Sequence, residues 1–278
     1  MTSKVHKNNN QVAVFGVKQQ RLAQFKPWHN NSGDWEEIWS RQSAEKILNK
    51  SFSGSLGECE PITKYLPKDL PVLEAGCGLG QVVRVLSSRG YQVEGVDYAE
   101  ETIRRVREAA PDLNVRIGDI YHLDVPNETY GGYISLGVLE HNPEGPLAGL
   151  QEARRVLRPQ GFAFISVPYL NIGRRRLQKR FGPIEENLGP GNLSFYQYYF
   201  SEEEFISFLY SSKFEVIEDY LIGVYYGLTL DHPFFKWLSD NKFFHWRARR
   251  VFQDLCKRAP RVACKYWAHM IMYICKPI

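Results

Sequence analysis

The chain has 278 residues, 44% of them hydrophobic, with 35 Lys and Arg against 31 Asp and Glu for a formal net charge of +4. This is the composition of an ordinary globular chain, and it excludes a disordered, fibrous or strongly polybasic protein. No apolar run reaches the roughly 18 residues of a membrane-spanning helix, and Met1 to Gln20 lacks the apolar stretch of a secretory signal.

Residues 1 to about 30 carry little periodicity and read as a mobile arm. A helix is expected from Ser32-Gly33-Asp34, with Trp35, Ile38 and Trp39 on one face at i, i+3, i+4 spacing. Its apolar stripe is expected to pack on the core. The five cysteines, Cys59, Cys77, Cys256, Cys264 and Cys275, are odd in number and irregularly spaced. That pattern suits reduced thiols in a cytoplasm, with no disulfide framework and no metal site.

Next comes the most informative stretch, Val72-Leu73-Glu74-Ala75-Gly76-Cys77-Gly78-Leu79-Gly80, followed by Val93-Glu94-Gly95-Val96-Asp97. It reads as a buried strand, a glycine turn, a helix and a second strand ending in a carboxylate, which is a nucleotide-binding βαβ unit. Glycines at 76, 78 and 80 let a ligand lie directly against the main chain. Asp97 then stands where it can accept hydrogen bonds from both hydroxyls of a ribose. A dinucleotide fingerprint needs G-x-G-x-x-G to bring a pyrophosphate to the helix N-terminus. Here the spacing is E-x-G-x-G-x-G, and Gln81 replaces the third glycine of that pattern.

Strands are expected at Val72 to Glu74, Gln92 to Val96, Val115 to Ile117, Tyr133 to Leu136 and Phe162 to Val167. Helical segments at Gln81 to Arg89, Glu100 to Ala109 and Pro146 to Leu157 separate them. The alternation predicts an α/β fold, a doubly wound parallel sheet with helices on both faces and ligands at the carboxyl edge. Asn171 to Asn192 is rich in glycine and proline. Ser201-Glu202-Glu203-Glu204 is a capping box that starts a helix. Phe214 to Tyr220 and His269 to Cys275 read as a sixth and a seventh strand. Between them lies an insertion, about Asp231 to Val262, mixing aromatics with a run of Lys and Arg.

Beyond the glycine turn, Gly118-Asp119-Ile120 closes the third strand, and Ile134-Ser135-Leu136-Gly137-Val138-Leu139-Glu140-His141 forms the fourth with its loop. Val156-Leu157-Arg158-Pro159-Gln160-Gly161 leads into the fifth. These five elements, in this order over roughly residues 70 to 170, resemble the class I S-adenosylmethionine-dependent methyltransferases of the small-molecule, "methyltransferase type 11" kind. The resemblance implies a Rossmann-like seven-stranded sheet of order 3-2-1-4-5-7-6 with the last strand antiparallel, an N-terminal helical lid, and a helical insertion before the last strand. The expected division is an arm and lid over 1–50, a methyltransferase core over 51–230, a helical cap over 231–264 and a final core strand over 265–278.

The resemblance also implies S-adenosyl-L-methionine as cofactor, with a role for each residue. Glu74 would hold the loop and, through water, the methionine ammonium. Gly76, Gly78 and Gly80 would underlie the methionine and ribose, and Asp97 would take the ribose hydroxyls. Tyr98 would cover the adenine, Asp119 and the Ile120 amide would read its edge, and Leu136 and Gly137 would line the sulfonium. His141 is the candidate general base, because a neutral imidazole is available near pH 7, with Glu140 orienting it or holding a substrate group. One departure stands out: Tyr130-Gly131-Gly132-Tyr133 occupies the place where similar proteins carry an aromatic-Asp pair, which puts local stability in question.

On the acceptor side, Gly173-Arg174-Arg175-Arg176 with Lys179-Arg180 reads as a solvated basic face or as an attractor of an acidic acceptor. Phe195 to Phe200 reads as pocket wall or core. The favoured function is methyl transfer to a small-molecule, lipid-linked or glycan-like acceptor in a biosynthetic pathway. A nucleic-acid methyltransferase and a non-catalytic binding protein of the same fold are the alternatives. Modest net charge and the lack of a base-flipping motif weigh against nucleic acid. The intact glycine turn weighs against a non-catalytic protein. The cap reads as a cover whose aromatics pack inward, with peripheral contact to an anionic membrane as the functional alternative. Acceptor identity and oligomeric state are left open at this level.

Overall fold

The computed structural model describes residues 5–8, 11–27, 32–51, 55–179, 193–240 and 246–278. In chain order the elements are β1 (Val5–Asn8), β2 (Gln11–Lys18), β3 (Arg21–Pro27), α1 (Ser32–Ser40) and α2 (Ala44–Ser51). Then follow β4 (Val72–Ala75), α3 (Gln81–Ser88), β5 (Val93–Asp97), α4 (Glu100–Ala109), β6 (Val115–Ile117) and β7 (Tyr130–Leu136). The second half holds α5 (Leu147–Val156), β8 (Leu157–Pro168), α6 (Ile172–Gln178), β9 (Leu193–Tyr199), α7 (Glu202–Ser211) and β10 (Phe214–Ile222). The chain closes with α8 (Val224–Asp231), α9 (Pro233–Asp240), α10 (Trp246–Lys257), α11 (Arg261–Trp267) and β11 (Met270–Pro277).

Seven strands form the main sheet in the order β10-β11-β8-β7-β4-β5-β6. Numbered along the core, this is 3-2-1-4-5-7-6 read from the other edge, and β11 is antiparallel to both its neighbours. Both faces are covered. Leu73, Ala75, Val96 and Tyr133 pack on one side, and Val72, Ile134, Phe164, Met272 and Ile274 pack on the other. Neighbouring residues within a strand therefore go to opposite cores, which is why these strands read as unbroken apolar runs.

The glycine pair that replaces aromatic-Asp has a packing reason. A Cβ on Gly131 would lie 2.5 Å from Leu70 Cβ, and one on Gly132 would lie 2.6 Å from Leu66 Cδ1. Tyr130 donates its hydroxyl to Glu94 Oε2 at 2.6 Å, so this end of β7 is tied down by close contact and a charged acceptor. The capping box is present in half: Ser201 Oγ accepts from the Glu204 N–H at 3.2 Å.

The expectation of an N-terminal arm is corrected here. Residues 5–27 form three strands of a second, four-stranded antiparallel sheet, order β1-β2-β3-β9. Strand β3 pairs with β9 from Leu22↔Tyr199 to Pro27↔Leu193, and Leu22, Ala23 and Phe25 are buried. The segment is held by a strand about 170 residues away along the chain, a non-local pairing with no local sequence signature. The helical cap is also larger than expected: it begins at Val224, so the four helices α8–α11 separate β10 from β11.

Candidate active site

The loop after β4 is built from left-handed glycines. Gly76, Gly78 and Gly80 have φ of +80°, +49° and +71°, a region that costs other residues about 1–2 kcal/mol. They also leave no room for side chains. A Cβ on Gly76 would lie 2.6 Å from Val138 Cγ2, and one on Gly78 would lie 2.7 Å from Trp39 Cζ2. Helix α1 therefore reaches over the loop through Trp39, in the place expected of a lid.

Two carboxylates fasten this loop. Asp97, at the end of β5, accepts the Gly78 N–H at 2.8 Å on Oδ2 and the Ala99 N–H at 3.0 Å on Oδ1. Burial raises its pKa and these N–H donors oppose the shift. Glu74 accepts the Val83 N–H in the first turn of α3 at 3.0 Å, and burial pushes it up to about 8. Cys77 is buried between them and its thiol is pushed well up by burial first and the two carboxylates next, so it is an inert packing residue.

The other expected cofactor residues lie on the same carboxyl edge. Tyr98 follows Asp97 and is 44% exposed, while Ile120 is buried. Asp119 Oδ1 accepts the Tyr121 N–H at 2.9 Å, and Oδ2 lies 3.2 Å from His122 Nδ1. Leu136 and Gly137 end β7, where Gly137 has φ +72° and donates its N–H to the Ser166 carbonyl at 3.0 Å. A turn of left-handed glycines, a carboxylate at the strand end and a half-exposed aromatic next to it suit a nucleoside carrying an amino-acid tail, so the residues present fit the expected cofactor.

Facing this edge is a second group of residues, collected from distant parts of the chain. His141 Nδ1 lies 2.7 Å from the Tyr196 carbonyl oxygen. A carbonyl only accepts, so Nδ1 carries the proton and Nε2 keeps its lone pair. Burial lowers the imidazole to about 4, which keeps it neutral at physiological pH. Glu140 Oε1 lies 3.8 Å from Nε2, beyond hydrogen-bond reach. The Glu140 side chain is buried, Oε2 has no hydrogen-bond partner, and burial raises its pKa to about 8.

Tyr196 owes its position to a bulge. Strand pairing jumps from Gln24↔Gln197 to Phe25↔Phe195, so Tyr196 is the extra residue on β9. Such a residue is turned out of the ladder and re-aimed. Its ring meets His141 at 4.9 Å and Trp35 at 6.5 Å, and Trp35 stands edge-on to His141 at 4.6 Å. Lys26 of β3 places Nζ 3.3 Å from the Tyr196 ring centre, and burial lowers it to about 8. The remainder of Phe195 to Phe200 divides as its burial dictates: Phe195, Tyr198, Tyr199 and Phe200 are core. Lys26 was not recognisable as a site residue from the sequence, because only the β3–β9 pairing brings it here.

Two arginines of the basic run after β8 are taken up in packing. Arg174 is buried, with Nε 2.9 Å from Asp231 Oδ2 and Nη1 donating to the Tyr169 and His269 carbonyls at 2.9 and 3.0 Å. Arg175 pairs with Glu203 at 2.9 Å. These two charges bind α6 to the cap and to α7; Arg180 lies outside the described residues.

Fold and site together define a doubly wound α/β protein with a loop of left-handed glycines at the carboxyl edge of its sheet. Residues 73–165 match the family model of the methyltransferase domain. A probable S-adenosylmethionine-dependent methyltransferase of Mycolicibacterium smegmatis is 34% identical over 97 residues, 35% of this chain and 37% of that protein. The ubiquinone biosynthesis O-methyltransferase of Rickettsia bellii is 28% identical over 181 residues, covering 62% of this chain and 71% of that one. A solved S-adenosylmethionine-dependent methyltransferase of Methanosarcina mazei shares the fold, with TM-score 0.54 at 18% identity over 79% of this chain and 97% of that chain. The chain spans little more than a third of the length of the first curated relatives, 37%, 35% and 35%. Residues 73–165 thus carry a methyltransferase domain, and relatives and neighbours of this stretch are S-adenosylmethionine-dependent enzymes.

Proposed function

We propose that the protein transfers a methyl group to a hydroxyl of a small or lipid-linked acceptor held between the cofactor edge and the β3–β9 wall. The observation that carries this reading is the fixed tautomer of His141, whose Nδ1–H is engaged by the Tyr196 carbonyl and whose Nε2 is unprotonated. When bound, S-adenosyl-L-methionine supplies an electrophilic methyl on a sulfonium centre. Glu74, Gly76, Gly78, Gly80, Asp97, Tyr98, Asp119, Ile120, Leu136 and Gly137 would hold it.

The remaining chemistry belongs to the protein. His141 Nε2 would accept the proton of the acceptor hydroxyl, a contribution of about 10²–10⁴ in rate. Glu140, once ionised, steadies the imidazolium from 3.8 Å. Trp35 and Tyr196 wall the acceptor, and Lys26 supplies a cation beside it. Holding the acceptor in line provides up to about 7–11 kcal/mol more. The O-methyltransferase name of the Rickettsia relative supports a hydroxyl as nucleophile.

The test is transfer from labelled cofactor to three acceptor panels: hydroxylated aromatics, lipid extracts and RNA. The reading expects label in the first or second panel, lost in His141→Ala. Label in RNA alone would replace it with the nucleic-acid reading, and cofactor binding with no transfer to any panel would favour a non-catalytic role.

A further inference from the structure

Among the described residues, fifteen large hydrophobic side chains are exposed, and eight of them fall within 224–267, the four-helix cap. They come as one pair per helix: Tyr226 and Leu230 on α8, Phe234 and Trp237 on α9, Val251 and Leu255 on α10, Val262 and Tyr266 on α11. Each pair is spaced i, i+3 or i, i+4, so it forms a short outward stripe. The stripes are not what holds the cap together. A different set does that: Phe235 stacks on Phe252 at 5.6 Å, Tyr225 meets Phe252 at 5.6 Å, and Cys256 and Cys264 are buried. Helix α8 reaches α11 backbone to backbone through Gly227, where a Cβ would lie 1.7 Å from the Trp267 carbonyl oxygen.

Charge is concentrated in the same place. Residues 224–267 contain nine Lys and Arg against three Asp, a surplus of six, while the whole chain carries +4. The rest of the chain is therefore net negative by two, and the positive balance belongs to the cap. Lys257, Arg258, Arg261 and Lys265 are exposed next to the stripes on α10 and α11. Lys257 pairs with Asp254 and Arg261 with Asp219, but Arg258 and Lys265 have no acidic partner among the described residues. The side chains of Arg247, Arg249 and Arg250, and residues Phe243 and Phe244, lie outside the described residues.

We propose that the cap is a docking face for an anionic phospholipid surface, onto which α8–α11 lay their outward aromatic and aliphatic pairs while the flanking cations meet the headgroups. Cations interleaved with exposed apolar side chains, as on α10 and α11, are the chemistry of an interfacial element. No helix among the described residues is long and apolar enough to cross a bilayer, so the attachment is peripheral. A nucleic acid would use the cations and leave Leu230, Val251, Leu255 and Val262 without a partner. A second copy of the same face would bring two surpluses of six positive charges together. Each cation near an anionic surface raises partitioning roughly fivefold, so two or three suffice for reversible binding. The docking does not depend on the methyl-transfer reading.

The test is co-sedimentation of the full chain with phosphatidylcholine vesicles, with and without about one third phosphatidylglycerol, at about 50 mM and about 500 mM salt. The expected result is at least about tenfold stronger binding to the anionic vesicles at low salt, mostly abolished at high salt. Trp237→Ser and Leu255→Ser should each weaken binding several-fold, with melting temperature and cofactor affinity unchanged. Equal binding to neutral and anionic vesicles, or none to either, overturns the proposal. So does a dimer that Trp237→Ser dissociates, or RNA binding that survives both substitutions while vesicles go unbound.

Discussion

Glu74 offers a sharp perturbation, because its charge state is set by burial and read out by ligand binding. Its carboxyl is buried under the glycine loop with a pKa near 8, against an ordinary value of 4.5. A methionine ammonium brought close, through water, favours the ionised form and draws the proton off. With a pKa of about 8, the group is ~1% ionised at pH 6 and roughly a quarter ionised at pH 7.5. Affinity for the cofactor should therefore rise about 25-fold over that interval, equivalent to about 1.9 kcal/mol. Calorimetry in two buffers of different ionisation enthalpy should show ~0.9 proton released per cofactor bound at pH 7. Glu74→Gln keeps an acceptor for the Val83 N–H and should give a flat profile with no release. The same shift predicts stability of the free protein. A carboxyl whose folded value is raised contributes stability that is fully present below 4.5 and lost as the pH rises to about 8. Glu74→Gln should thus raise the melting temperature at pH 8 and leave it nearly unchanged at pH 4.5. A wild-type profile as flat as that of the variant would refute the reasoning.

Gly78→Ala forces a left-handed alanine, costing about 1–2 kcal/mol, and drives its Cβ to 2.7 Å from the Trp39 ring; tryptophan emission and chemical denaturation should show a displaced lid and lost stability together. Arg174→Ala leaves Asp231 facing a buried gap and should cost about 3–5 kcal/mol by urea unfolding, whereas a loss below about 1 kcal/mol would mean the ion pair is unimportant to the cap. His141→Ala should lower turnover by about 10²–10⁴ with cofactor affinity nearly unchanged; near wild-type turnover would make His141 a structural residue. Because His141 is lowered to about 4 and Glu140 raised to about 8, the rate should climb toward pH 8 through Glu140, and Glu140→Gln should remove that limb.

The main sheet was legible because both of its faces are buried, so its strands are apolar runs punctuated by glycine turns, and the glycines must be left-handed where the chain turns. Asp97 at the end of β5 followed from the same βαβ pattern, whereas Asp119, two residues past β6, was named only through the family resemblance. The N-terminal hairpin was not legible, for a reason visible at its turn. Gln19 and Gln20 adopt φ of 48° and 64°, positions that Asn-Gly or Gly usually fill. Without those residues the turn carries no local mark. Lys26 and Tyr196 were hidden for a related reason, since the bulge that turns Tyr196 toward His141 exists only in the pairing of β3 with β9. The burial of Arg174 was not legible because sequence shows charge but not its partner: Asp231 is 57 residues further on, in the cap. His269, lowered to about 3 by burial first and by Arg174 second, belongs to the same cluster.

The central claim is that the loop of Gly76, Gly78 and Gly80 with Asp97 is a working cradle for S-adenosyl-L-methionine. Equilibrium dialysis of the full chain against labelled cofactor, beside Asp97→Ala and Asp97→Asn, tests it most directly. Saturable binding at one site per chain is the expected result. Asp97→Ala should weaken it by about 1.5–3 kcal/mol, roughly 10- to 150-fold, since it removes hydrogen bonds to a charged group, and Asp97→Asn should weaken it less. No saturable binding by the folded wild-type chain at millimolar cofactor, or equal affinity in the folded Asp97→Ala variant, would contradict it.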